Sequence, residues 1–175
     1  TIYGTYRLPF FSGDKGLLDQ AFGGWQFSAV AKLAKGTPFT VTTSALDLNF
    51  DGFSESRPIL LDPTILGRGV NEPATSRISL PRSAFRTLTS ADVNAILLGR
   101  NTFFLDGVKN VDIGIAKIFR MPWQTHTMSV RIEAFNAFNW VNLGNPNTTQ
   151  NSPNFARITS AGSARYLQLG LKFLF

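Results

Sequence analysis

The final segment, Arg165-Tyr-Leu-Gln-Leu-Gly-Leu-Lys-Phe-Leu-Phe175, alternates apolar and polar side chains up to its last residue. Leu167, Leu169, Leu171, Phe173 and Phe175 share one side of an extended chain, and Tyr166, Gln168, Gly170 and Lys172 share the other, because strand side chains point alternately to opposite faces. One face is therefore greasy and the other mostly polar. A strand of about ten residues with this polarity, ending in Phe-x-Phe, has the length to cross a bilayer at a tilt of ~45°.

Four other segments extend the pattern. Thr127–Phe138 sets Met128, Val130, Ile132 and Ala134 against Ser129, Arg131 and Glu133. Val108–Arg120 sets Val111, Ile113 and Ile115 against Asp112, Gly114 and Ala116, and weakens at Lys117, which is expected near a membrane edge where a lysine can snorkel. Gly24–Lys35 opposes Trp25, Phe27, Ala29, Ala31 and Leu33 to Gln26, Ser28 and Lys32, and Thr1–Phe10 reads as a less clearly patterned strand. The connections alternate in length: Phe11–Phe22 shortish, Gly36–Gly107 very long, Met121–His126 short, Asn139–Ala164 long. Barrels of the outer membrane have short periplasmic turns and long external loops. The chain's last residue then falls on the periplasmic side. Trp25, Phe119, Trp123 and Phe173 or Phe175 are expected in one interfacial aromatic girdle, with Phe138 and Trp140 in the other.

Composition narrows the classes. The 175 residues contain no cysteine, which excludes a disulfide framework and a thiolate metal site. No run approaches the ~18 consecutive apolar residues of a membrane-spanning helix, so any membrane location must come from strands. No signal peptide is evident and the chain opens on Thr1. A piece of a longer exported precursor is the expectation.

Two sets of residues resemble a known family. Gln168-x-Gly170-x-x-Phe173-x-Phe175 resembles the terminal signal by which bacterial outer-membrane barrels are recognised for assembly. Arg131-Ile-Glu-Ala-Phe-Asn-Ala-Phe-Asn-Trp-Val-Asn-Leu-Gly-Asn-Pro146, followed by Phe155-Ala-Arg-Ile-Thr159, resembles the closing strands of TonB-dependent outer-membrane receptors, especially the Oar-like group. Gly23-Gly-Trp-Gln-Phe27, Gly36-Thr-Pro-Phe39, Gly99-Arg-Asn101 and Asn110-Val-Asp-Ile113 fall in that group's order. The resemblance implies an all-β fold: a partial transmembrane antiparallel β-barrel of about five C-terminal strands with two long extracellular loops, residues 1–175 being part of one barrel domain. It also implies a bacterial outer-membrane location and energised uptake of a bulky, scarce solute. A plug, a TonB contact segment and the remaining strands would lie before Thr1. The implied partners are outer-membrane lipid and lipopolysaccharide, the barrel-assembly machinery, TonB through those N-terminal parts, and an unknown solute. The alternatives are a non-transporting surface or adhesion protein anchored by the barrel, and a soluble β-rich binding domain.

Other chemistry is thin. The loop Gly36–Gly107 carries six Arg/Lys against seven Asp/Glu, so the basic excess lies elsewhere: Arg131 and Lys172 on the inner face, Lys35, Arg157 or Arg165 near the outer rim. Nucleic-acid binding is not expected, since the aromatics face away from the charges that a stacking platform needs. The single histidine, His126, reads as a turn residue, Gly13-Asp-Lys-Gly16 as a plain turn, and no enzyme motif is present. Asp47-Leu-Asn-Phe-Asp-Gly52 matches the opening of a calcium loop, with Asp47, Asn49 and Asp51 as ligands. The position for the closing bidentate glutamate is Pro58, so an Asx-rich turn is the competing reading and no other cofactor is expected. Asn136, Asn139, Asn142 and Asn145 recur every third residue, and are expected to bond loop backbone that has lost its ladder partner.

Overall fold

The computed structural model describes residues 1–9, 21–48, 50–68, 80–120 and 126–175. Its strands are β1 (Ile2–Arg7), β2 (Trp25–Ala34), β3 (Pro38–Phe39), β4 (Ile59–Leu60), β5 (Phe85–Arg86), β6 (Phe103–Phe104), β7 (Val108–Arg120), β8 (Thr127–Phe135) and β9 (Tyr166–Leu174). The fold is all-β: the long strands form one open antiparallel sheet in the order β1-β2-β7-β8-β9. No helix among the described residues is long and apolar enough to cross a membrane. Two compact units result. The first comprises Thr1–Ala34, Lys109–Trp140 and Ser163–Phe175; the second comprises Lys35–Val108 and Val141–Gly162.

Register in the first unit follows the alternation of the sequence. Ile132 lies opposite Leu169 on β9 and Ile115 on β7, while Tyr6 lies opposite Phe27. The Ile118 amide donates to the Gly24 carbonyl at 2.9 Å, and the Ser28 hydroxyl reaches the Gly114 carbonyl at 3.4 Å. These two contacts fix the antiparallel match of β2 with β7 and put Phe27 beside Ile115. Tyr6, Phe27, Ile115, Ile132 and Leu169 therefore make one apolar row across all five strands. The adjoining row, Thr5, Ser28, Gly114, Glu133 and Gln168, is polar or small and points the other way. A one-residue slip would exchange the faces of a whole strand, so the pattern itself specifies the register. Gly24, at φ +69, sits where a Cβ would collide with the Ile118 carbonyl. Only glycine lets β2 begin that close to β7.

Two expected boundaries differ. β8 ends at Phe135 rather than Phe138, because Asn136 and Asn139 take left-handed φ values of 49° and 53° that no ladder accommodates. β1 ends at Arg7, and Phe10, the expected end, is outside the described residues. Most of the connections Phe11–Phe22 and Met121–His126 also lie outside them, as do Trp123 and the Gly13–Gly16 turn.

The second unit departs more from expectation. The two long connections are not separate loops; they fold around one core. Val41, Ile65, Phe85 and Phe103 come from the first connection, Ala156 and Ile158 from the second. Phe39 packs on Phe103 at 5.8 Å, Phe103 on Phe85 at 5.9 Å, and Phe85 on Phe155 at 5.7 Å, the last two edge-on. Backbone seals the join: Thr42 donates to Thr148 at 2.9 Å and accepts from Gln150 at 2.7 Å. The Gln150 side chain, 7% exposed, accepts from the Thr87 hydroxyl at 2.8 Å and the Thr43 hydroxyl at 3.5 Å, and donates to the Phe85 carbonyl at 3.4 Å. Burial of this amide is tolerable only because those partners replace water.

Because Phe103 is wholly buried where the two connections meet, Phe103→Ala should destabilise this unit by ~3–5 kcal/mol. Hydrogen exchange on the full-length protein should then show protection lost in residues 141–158 as well as around residue 103. Loss confined to the first connection would mean that the two do not share a core.

Candidate functional site

The ends of the sheet carry the aromatics. Lys117 stands on the apolar face opposite Val130, yet it is only 6% exposed. Its stem turns back so that Nζ donates to the carbonyls of Ala21, at 3.2 Å, and Gly23. The Trp25 ring lies 5.2 Å from that nitrogen and the Phe119 ring 5.4 Å, a cation–π arrangement on both sides. The ammonium is thus held by carbonyls and ring faces instead of water, which differs from the snorkelling expected of a lysine at a membrane edge. At the opposite end Phe138 stacks on Trp140 at 5.0 Å, and Phe135 on Tyr166 at 4.6 Å.

The terminal-strand residues divide between the faces as their spacing requires. Gln168 lies opposite Glu133 and Gly170 opposite Arg131 on the polar face, while Phe173 lies opposite Met128 on the apolar one. Phe173 stacks between His126 and Phe175, each 6.2 Å away. A Cβ at Gly170 would meet the Arg131 Cβ at an ordinary 3.8 Å. Among the described residues none demands glycine at that position.

The asparagines do structural work at the exit of β8. Asn136 donates from Nδ2 to the carbonyls of Trp140, at 2.9 Å, and Ser163, at 3.2 Å, and its Oδ1 accepts from the Trp140 amide at 3.0 Å. The Asn136 amide in turn donates to Asp112, which also accepts from Asn110. Asn139 accepts from the Arg165 amide at 3.0 Å. Together these bonds satisfy the backbone where β8 leaves its neighbour and β9 begins.

The calcium-like sequence forms an Asx turn. Asp47 accepts from the amides of Asp51, at 3.3 Å, and Gly52, at 2.9 Å, and Asp51 accepts from the Phe53 amide at 2.8 Å. Asn49 is outside the described residues. Glu55 pairs with Arg57 at 3.1 Å rather than turning toward Asp47. Among the described residues no group of three or more His, Asp or Glu is placed to hold a metal ion. Sequence spacing alone could not reveal the third feature of this turn, two phenylalanines at its tip.

One ion pair in the second unit is built with unusual care. Arg86 donates to both Asp92 oxygens, at 2.9 and 2.7 Å, and the Thr89 amide and hydroxyl donate to Oδ2 at 2.8 and 2.7 Å. The Arg86 guanidinium, with Thr89 after it, holds the Asp92 carboxyl far below its usual 3.8. Asp62 is also lowered, chiefly by the Thr64 hydroxyl and then its amide. A lowered folded-state value means that the carboxylates stabilise the unit fully above the unfolded value and progressively less as pH falls toward the folded one. Pepsin should consequently nick the second unit increasingly as pH drops below 3.8. Asp92→Asn should be nicked already at higher pH and show a flatter profile, whereas an unchanged profile would remove Asp92 as its cause.

A family model described as an outer membrane beta barrel domain matches residues 1–168. No curated protein and no solved structure matches the chain. The match covers β1 to β8, the start of β9 and the entire second unit, and it agrees with an antiparallel sheet that is apolar on one face and polar on the other. This chain therefore belongs to the outer membrane beta barrel domain family and is a protein of the bacterial outer membrane.

Proposed function

We propose that the chain forms the closing wall and two external connections of a TonB-dependent receptor of the Oar-like group, taking up a bulky, scarce solute. The observation that carries this reading is the character of the sheet's polar face. In a narrow barrel of about eight strands, inward side chains fill the interior and pack on one another. Here the inward rows join glycine and alanine at Gly114, Ala116 and Gly170 to long polar groups. On that face Arg131 pairs with Glu133 at 3.4 Å. Such a face suits a wide, wet or plugged lumen, as in transporters of about 22 strands. Support also comes from the ordered motifs: Gly24, Gly36, Asp112, Asn136 and Asn139 each hold a close approach or a backbone bond, and Asn110 donates to the Asp112 carboxylate. The outer edges of β1 and β9 need further strands, since unpaired backbone cannot face lipid.

A surface or adhesion protein anchored by the same wall is the second reading, favoured by the size and independent core of the second unit. Calorimetry separates the two: full-length protein in detergent, titrated with the periplasmic domain of TonB, should bind saturably with one-to-one stoichiometry. Absence of heat, together with unaltered cell-surface attachment in a TonB-deleted strain, would favour the anchor.

Assembly follows from the terminal strand. Gln168, Gly170, Phe173 and Phe175 are proposed as the signal read by the barrel-assembly machinery, and among the described residues none forces glycine at position 170. Phe175, 94% exposed, touches little but Phe173, so Phe175→Asp should leave the sheet's internal contacts intact and still reduce folded, heat-modifiable protein in outer-membrane fractions. Undiminished folded yield would count against the signal.

A further inference from the structure

The tip of the first long connection exposes more apolar surface than its turn requires. Leu46 and Glu55 exchange backbone hydrogen bonds across its neck, each 2.9 Å, and Asp47 closes it from inside. Phe50 and Phe53 project from the tip, 87% and 80% exposed. Phe50 does so at φ 57°, a conformation in which a bulky side chain is strained and glycine is not. The same unit buries Phe85 and Phe103 in its core. Two phenylalanines three residues apart on a pinned turn form an apolar prong rather than scattered surface residues.

Charge specifies what the prong can meet. The tip beyond the Leu46–Glu55 bonds holds Asp47 and Asp51 and no lysine or arginine, on a chain whose net charge is +6, while Glu55 at its neck is paired with Arg57. Lipopolysaccharide is phosphate-rich, so an acidic tip is not drawn down onto the membrane. A partner carrying positive charge beside apolar side chains is attracted first by the carboxylates and then held by the rings. We propose that the tip carrying Phe50 and Phe53 is a docking element for a cationic amphipathic peptide segment of an extracellular partner. Phe50 and Phe53 supply the apolar anchor, and the carboxylates of Asp47 and Asp51 supply attraction and register. The inference needs only that the long connections lie outside the cell, and it holds whether the barrel transports or anchors.

The test uses full-length protein in nanodiscs and three fluorescent peptides, with alternating lysine and leucine, lysine and serine, or glutamate and leucine. The lysine–leucine peptide should bind best, and Phe50→Ser combined with Phe53→Ser should weaken it roughly tenfold or more. Asp51→Asn keeps an oxygen for the Phe53 amide but removes charge, so it should weaken binding less and flatten its salt dependence. Phe50→Gly separates binding from folding: it relieves the left-handed strain, so loop stability should hold or rise while affinity falls. The proposal is overturned if the double variant binds the lysine–leucine peptide like the parent protein, or if the glutamate–leucine peptide binds as well. It is equally overturned if oligosaccharides or lipopolysaccharide vesicles, and not the peptide, show the Phe-dependent binding.

Discussion

A bilayer interior offers no hydrogen-bond partner to a peptide group, so every amide crossing it must be satisfied by a neighbouring strand. That constraint accounts for the five-stranded ladder and for its two unlike faces. The rows Tyr6-Phe27-Ile115-Ile132-Leu169 and Thr5-Ser28-Gly114-Glu133-Gln168 are adjacent in sequence on each strand and opposite in chemistry. Lys117 is the informative exception. It occupies an apolar-face position, and its charge is tolerated because two carbonyls and two aromatic faces receive it at the sheet's end.

Outside the ladder the same accounting of backbone groups is met by side chains. Asn136 alone serves two carbonyls and an amide where β8 stops, and Asp47 serves two amides in the Asx turn. Asp47 and Asp51, spaced like calcium ligands, accept the turn's own amides. Short polar side chains that tolerate left-handed backbone are suited to such places, and metal or substrate sites draw on the same residue types. The side chains of Phe50 and Phe53, by contrast, stand exposed at the tip of that turn.

The second unit shows how long connections on a barrel become an ordered surface. Its core needs both: Phe155 and Ile158 complete what Phe85 and Phe103 begin, the Gln150 amide is satisfied beside them, and the Arg86–Asp92 pair ties the adjoining surface. A receptor or adhesin gains from this rigidity, because ordering a surface beforehand lowers the entropy lost when a partner binds.

The sequence by itself determined the strands, their faces and their approximate limits, since a period of two is a local property that bilayer and lumen read directly. It also determined that Asn136 and Asn139 bind backbone where β8 stops, because that role depends on residue type. Only the tertiary structure decided that residues 35–108 and 141–162 make one core, that Gly36 is required by the nearby Leu105 carbonyl, and that Phe50 and Phe53 face water while Phe85 and Phe103 do not. Those outcomes rest on contacts between residues far apart in the chain, such as Thr42 with Gln150 and Phe85 with Phe155. No periodicity within either segment encodes a meeting between the two.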